Sequence, residues 1–321
     1  MTKQPHSLPH PISRIGILAA LIGSILFSTK AIIVKKSFAQ LHIDVSSLLT
    51  LRMFFSLPFY VLMGWWASRS ETQQALTRVQ WLKVIALGLT GYYASSFFDF
   101  AGLQYISAGL ERLILFLYPT FVLMINLTAY KQPVLVRQWW ALGLTYLGIA
   151  LVFWGEIQLT GLSADLLHGA LLILGCAITY AIYIAGSGRV IPAVGVSRFT
   201  SYAMISATAG IFLHFLIAQK GSLSTLIGPG YWKFGLLIAV VATVLPTFLT
   251  AKGMQLIGSN NVAIVSSIGP VSTIIQAHLF LNEPIFGEQL AGTALVVAGV
   301  ILIGWKKPVS GLKKASGFGG K

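Results

Sequence analysis

Charge is what this chain has least of. Only 9% of its 321 residues are charged, and just 8 are acidic. A soluble domain carries roughly 25% charge, so a soluble globule of this size could not cover its surface. Disorder is excluded as well, because 56% of the residues are hydrophobic. The single cysteine, Cys176, rules out an intramolecular disulfide and any multi-cysteine metal site. There is no Walker motif for a nucleotide phosphate, which gives no support to ATP-driven chemistry. The first apolar stretch lacks a small-residue cleavage site and runs on into Lys35 and Lys36. A cleavable signal peptide is therefore not expected.

What the chain does have is long apolar runs, 32 glycines and a mean hydropathy of +0.81. A hydrocarbon core needs about 20 apolar residues per helix. Runs of that kind fall at 13–35, 45–67, 81–103, 107–130, 136–154, 168–187, 197–218, 231–251, 259–281 and 286–305. Ten spans put both termini on one side. With that side cytoplasmic, fifteen Lys and Arg residues lie inside and four (Lys35, Lys36, Lys220 and Lys233) outside, a positive-inside pattern. All eight tryptophans fall at span ends, the headgroup level that indoles prefer. The formal charge of +14 is thus a topology signal. Nucleic acid is not an expected partner, since the basic residues sit in short gaps between apolar runs rather than on one solvated face.

The segment 103–154 matches 254–305 without a gap, at an offset of 151. Gln104 pairs with Gln255, Pro119 with Pro270, Pro133 with Pro284, Gly148 with Gly299 and Trp154 with Trp305. Ten spans then divide five plus five, and an odd number per repeat inverts one half relative to the other. That is an architecture of secondary transporters, with substrate bound near the midplane between halves. The expected fold is all-α and membrane-integral, with ten transmembrane helices as two inverted five-helix repeats. Its parts are a cytoplasmic tail (1–12), a first repeat (13–154), an outer linker (155–167), a second repeat (168–305) and a basic cytoplasmic tail (306–321). Pro119 and Pro270 fall within spans four and nine, where each leaves an acceptor carbonyl four residues earlier, on Leu115 and Ser266. Such a carbonyl needs a partner or a water-filled cavity. Each proline reads as a hinge at the binding site or as a packed kink.

The stretches ILAALIGSILFSTKAIIVKK, LQYISAGLERLILFLYPTFVLM and MQLIGSNNVAIVSSIGPVSTIIQAHLFLNEPIFGEQLAGTALVVAGVILIG resemble EamA-type members of the drug/metabolite transporter superfamily. The resemblance covers nearly the whole chain. Its most specific part is the pattern Pro119, Pro133, Gly148 in one half and Pro270, Glu283, Pro284, Gly299 in the other, with Gln132 standing where the second half has Glu283. The resemblance implies two inverted five-helix repeats around a central cavity and small metabolites as cargo, often amino acids being exported.

Five ionisable residues lie within spans: Lys30, Arg52, Asp99, Glu111 and Arg112. Counted along their helices, all sit roughly 6–10 Å below the outer interface. Charges at that depth should face the bundle interior and pair. Lys30 either joins the site or snorkels to the interface. Arg52 reads as a clamp between helices or a site residue, and Asp99 as a partner for Arg52 or Lys30. Glu111 and Arg112 are the leading site candidates. Their counterparts in the second half, Val262 and Ala263, are apolar, so the scaffold itself does not demand charge there. Tyr183, Ser266 and Ser267 could line a central cavity or simply hydrogen-bond between helices.

The reading that fits best is a secondary transporter moving a small polar metabolite, an amino acid or related carboxylate, by alternating access. It would sit in the inner or plasma membrane with both termini cytoplasmic. A channel fits five mixed charges in one half poorly. A membrane enzyme would need a convergent nucleophile–base or metal cluster, and no such cluster is evident, so no enzymatic activity, cofactor or metal is expected. The expected partners are the small-molecule substrate, the bilayer, anionic lipid at the basic C-terminal tail and a coupling proton. The expected state is a monomer or homodimer.

Overall fold

A computed structural model of the chain describes residues 13–69, 75–131, 136–266 and 268–304. Every regular element among them is helical. Two long helices open the bundle, α1 (Arg14–Leu41) and α2 (Val45–Ser68). Then come α3 (Arg78–Gly88), which runs through a π turn (Leu89–Ala94) into α4 (Ser95–Gly102), the short α5 (Ala108–Leu115) and α6 (Tyr118–Thr128), and α7 (Val136–Thr160). The second part has α8 (Ala164–Val194), α9 (Val196–Ala218) and α10 (Tyr231–Ala239), which passes through a π turn (Val240–Val244) into α11 (Leu245–Ser266). It closes with α12 (Gly269–Leu281) and α13 (Gly287–Gly304).

Seven helical stretches among the described residues are long and apolar enough to cross a membrane: Arg14–Leu41, Val45–Ser68, Ala108–Thr128, Trp139–Thr160, Ala164–Val194, Val196–Ala218 and Tyr231–Gly253. Tryptophans 65, 66, 81, 139, 140, 154 and 232 all expose their side chains, as lipid-facing indoles do.

The irregularities recur at the offset that relates the two halves of the sequence. The π turns begin at Leu89 and Val240, the helix interruptions follow Leu115 and Ser266, and left-handed residues stand at Lys131 and Asn282. Each pair is 151 residues apart. Pro119 and Pro270 are each the second residue of the helix after its interruption, so both prolines follow a complete break rather than a bend in a continuous helix. A proline there loses nothing, because the first turn has unpaired N–H groups in any case.

The two halves interlock. Helix α1 packs on α11 and α12, α2 on α9 and α10, α4 on α8, and α7 on α13. Small residues set the closest approaches. A β-carbon on Gly148 would meet the Gly292 carbonyl at 2.5 Å, and one on Gly299 would meet Thr145 Oγ1 at 2.6 Å. These two glycines are repeat equivalents on α7 and α13, so the last helix of each half presses on the other.

One boundary departs from the sequence reading, which places a loop at 252–258. The backbone there stays helical within α11. It nevertheless reverses: positions 23, 16 and 24 of α1 lie against Thr250, Ile257 and Ser266 in turn. A straight helix would set residues 250 and 266 about 24 Å apart, whereas Gly23 and Ser24 are neighbours.

Candidate functional site

Helix α5 is buried on every side, all eight of its residues included. This is the condition under which adjacent Glu111 and Arg112, about 100° apart around the helix, can both face protein. Ser107 caps its start by accepting the Leu110 N–H at 3.1 Å. At its end, Phe116 N–H is shared between the Arg112 and Leu113 carbonyls, and Leu117 N–H reaches the Ile114 carbonyl at 2.9 Å. The last turn tightens and stops, fixing Glu111 and Arg112 about one turn above the break.

Glu111 meets two other charges from two other helices. Lys30 Nζ on α1 lies 2.6 Å from Asp99 Oδ2 on α4 and 3.9 Å from Glu111 Oε1. The side chains of Lys30, Asp99 and Glu111 are 10%, 1% and 0% exposed. Lys30 therefore does not snorkel, and it, not Arg52, is the partner of Asp99. One ammonium faces two carboxyl groups, and those of Asp99 and Glu111 are in side-chain hydrogen-bond contact with each other.

Arg112 points elsewhere. Its guanidinium stands over the rings of Phe27 and Phe116, at 5.7 and 5.6 Å. It crowds Gly269 at the start of α12, where a β-carbon would lie 2.8 Å from Nη2. Among the described residues it makes no ion pair, and its buried Nε has no hydrogen-bond acceptor. Two cation–π contacts and the nearby Glu111 carboxyl offset its desolvation here.

Arg52 is held by neutral groups. Its Nε donates to Thr243 Oγ1 at 3.1 Å and its Nη1 to Ser96 Oγ at 3.0 Å, beneath the ring of Phe100 at 5.5 Å. Thr243 belongs to the second π turn and Ser96 closely follows the first. Arg52 thus ties the two π turns together, which is the clamp geometry.

The neutral candidates separate. Tyr183 shares a hydrogen bond with Tyr92 at 2.9 Å, stacks on Tyr180 and Phe199, and fills the space left by Gly91. It belongs to a packed aromatic cluster, apart from the charged layer among the described residues. Ser266 contributes its backbone: its freed carbonyl accepts from Ser24 Oγ at 3.1 Å, and Ser28 Oγ and Thr273 Oγ1 both donate to the Gly269 carbonyl at 3.1 Å. The interruption before Pro270 is therefore stapled to α1. No described side chain donates to the Leu115 carbonyl, its equivalent before Pro119. Ser267 lies outside the described residues.

Four residues in this region went unassigned by sequence reasoning. Ser24 and Ser28, four apart on α1, were visible as a small polar stripe. Lys35 stood out only as a charge near a span end, and Glu283 as part of the repeated proline pattern; neither was read as a site residue. The structure joins them at 3.0 Å.

Comparison with known proteins gives two matches to the family model described as the EamA-like transporter family, over residues 14–154 and 167–305. The chain is 28% identical over 306 residues to the uncharacterized transporter YcbK of Bacillus subtilis, covering 93% of this chain and 96% of that one. It is 22% identical over 323 residues to an uncharacterized transporter of Synechocystis sp., covering 92% and 95%. A solved crystal structure superposes with a TM-score of 0.60 at 16% identity, over 89% of this chain and 95% of its own, a likeness of fold alone.

Proposed function

The chain belongs to the EamA-like transporter family, and from that premise we propose that it moves a small polar metabolite, an amino acid or related carboxylate, by alternating access. In this reading ten transmembrane helices form two inverted five-helix repeats in the inner or plasma membrane, with both termini cytoplasmic. Support comes from the doubled family match, the paired irregularities at one offset, and the bias of Lys and Arg toward one side.

Arg112 carries the cargo assignment. A buried charge without a salt-bridge partner costs several kcal/mol, and a transporter can keep such a residue because its substrate completes the pair. A carboxylate entering between Phe27, Phe116 and Gly269 meets a guanidinium suited to a bidentate grip. Glu111, beside Lys30 and Asp99, receives a substrate ammonium or carries a coupling proton. Binding then neutralises charge on both sides of α5, and that change accompanies the switch in access.

Counterflow with purified protein in liposomes, run against amino acids, organic acids and sugars, tests this. Arg112→Gln should abolish exchange of carboxylate-bearing substrates while leaving the melting temperature largely intact. Arg112→Lys should recover part, because the ammonium keeps the charge and loses the fork. Normal exchange by Arg112→Gln, or its misfolding, removes the assignment. Glu111→Gln separates the two roles: loss of pH dependence with exchange retained means proton coupling, and loss of binding at every pH means contact with cargo.

A further inference from the structure

We propose that Lys35 and Glu283 form a charge latch that holds the outer mouth shut over Glu111 and Arg112, with Glu283 acting as a positioning residue on helix α5. The outer side is the one set by the orientation proposed above, and to that extent the latch rests on that reading.

The latch is built from four elements. Asn282, in the left-handed conformation at φ 56°, turns the chain out of α12, and Glu283 N–H returns to the Ala277 carbonyl at 3.3 Å. That fold-back presents the Glu283 carboxylate to α1 and α5. Its Oε1 accepts from Lys35 Nζ at 3.0 Å, and both oxygens share the Ala108 N–H at 3.1 Å. Lys35 Nζ also donates to the Ile106 carbonyl at 2.7 Å. Ala108 is the first residue of α5, so its N–H is one of the groups a helix leaves unpaired, and a carboxylate there is also favoured by the helix dipole. Glu156 approaches from α7, beside Ser107 and within electrostatic reach of Lys35 and Glu283.

Position and exposure give this network its role. It lies about 4.5 Å beyond Glu111 along α5 and about 7.5 Å beyond Lys30 along α1, directly over the charged layer. The Lys35 and Glu283 side chains are 24% and 15% exposed, against 10% or less for the three charges beneath. A partly hydrated pair can part and re-form, because water takes over its hydrogen bonds. The buried triad cannot do so cheaply. Glu283 comes from the second half and α5 from the first, so access to Arg112 from this side requires the two to separate. The counterpart of Glu283 at the repeat offset is Gln132, which is uncharged. The scaffold therefore does not need a carboxylate at this turn, and a latch with charge on one face only biases the protein toward that face being closed.

The test reads accessibility and needs no substrate. Ala108, fully buried under the latch, is replaced by cysteine and labelled with a membrane-impermeant maleimide in right-side-out and inside-out vesicles. Parallel labelling of the unsubstituted protein gives the background from the buried Cys176. Ala108→Cys alone should react slowly from outside. Adding Glu283→Gln, and separately Lys35→Met, should speed outside labelling by about tenfold, the change in open population expected on losing a charge-assisted hydrogen bond. Lys35→Arg should stay slow. The exchanged pair Lys35→Glu with Glu283→Lys should recover only part of the protection, because the restored ion pair now sets an ammonium against the Ala108 N–H. Rates unchanged in both charge-removing variants, or an increase from inside only, overturns the latch. Glu283-dependent labelling in a protein that exchanges no carboxylate upholds the latch and removes the cargo reading instead.

Discussion

Lys30 Nζ lies 2.6 Å from Asp99 Oδ2, in a site where Asp99 is 1% exposed and Glu111 has no exposure. The lysine balances one carboxylate and sits near a second, so the three residues are a single electrostatic unit. Lys30→Met should therefore leave two uncompensated carboxylates and cost about 3–5 kcal/mol. Lys30→Met combined with Asp99→Leu should recover most of that loss, since replacing both partners of a buried pair by apolar groups is often neutral. Unfolding in detergent micelles for the wild type, both single variants and the double variant gives the coupling directly. A harmless Lys30→Met would mean that the ammonium reaches water after all.

Arg52 performs a different task with the same kind of charge. Its two bonds reach Thr243 and Ser96, which belong to opposite halves. Thr243→Val should cost about 1.5–3 kcal/mol, the worth of a hydrogen bond to a charged group, and Thr243→Ser should cost little. Arg52→Lys should behave like a loss of one bond, because a lysine cannot fork to both hydroxyls. Thermal stability reads all three. At temperatures where the variants stay folded, substrate affinity should be unchanged. A shift in affinity without loss of stability would move Arg52 into the binding site.

The charged layer was legible in the sequence because ionisable residues within apolar runs are rare, and depth along each helix follows from simple counting. Their pairing was less legible. Arg52 read as a clamp or a site residue and Asp99 as a partner for Arg52 or Lys30; the hydrogen-bond partners of Arg52 are hydroxyls, and nothing in the composition of Leu89–Ala94 or Val240–Val244 announces the π turns that present them. The prolines marked both interruptions, but only the neighbouring helix decides whether a freed carbonyl is satisfied, and α1 offers serines to one break alone. Tyr183 shows the converse. Its polar tip suggested a cavity or a bond between helices; Gly91 opposite makes room for its ring and Tyr92 takes its hydroxyl, the second of these. Lys35 and Glu283, 248 residues apart in the chain, needed the fold to become a pair.

Asp44 supplies a pH prediction outside the membrane-spanning helices. It caps α2, with Oδ1 accepting the Ser47 N–H at 2.9 Å and Ser46 Oγ at 2.6 Å, and Oδ2 accepting Ser47 Oγ at 2.6 Å. Partial burial pushes its carboxyl upward, and the hydrogen bonds from Ser46 and Ser47 outweigh that and hold it below the ordinary aspartate value. The native state therefore favours the carboxylate more than the unfolded chain does. The stabilisation is full above the unfolded value and is lost as pH falls through the lower, native one. Asp44→Ala should cost about 1 kcal/mol at neutral pH, and its deficit against wild type should shrink as the medium is acidified. Asp44→Asn should fall between the two and show a weaker pH dependence. Melting curves at several pH values check the sign; a deficit that grows in acid contradicts it.

Ser24 Oγ donates to the Ser266 carbonyl, which stands four residues before Pro270 at the break and receives no helical N–H from the proline. The two residues should therefore be energetically coupled although they lie on different helices. In the wild type, Ser24→Ala leaves a partly buried carbonyl without its donor and should cost about 1–3 kcal/mol. In a Pro270→Ala background the alanine N–H can reach Ser266 in the ordinary helical way. The same Ser24→Ala change should then cost much less, and the difference between the two backgrounds is the coupling energy of the pair. Among the described residues the first half offers no equivalent of Ser24, so Pro119→Ala should show no such coupling to any residue of α8, where a counterpart of α1 would lie. Melting temperatures across the Ser24–Pro270 cycle, measured in one detergent, decide the matter. If Ser24→Ala costs as much in the Pro270→Ala background as in the wild type, the break before α12 is imposed by packing on α1 and not by the proline.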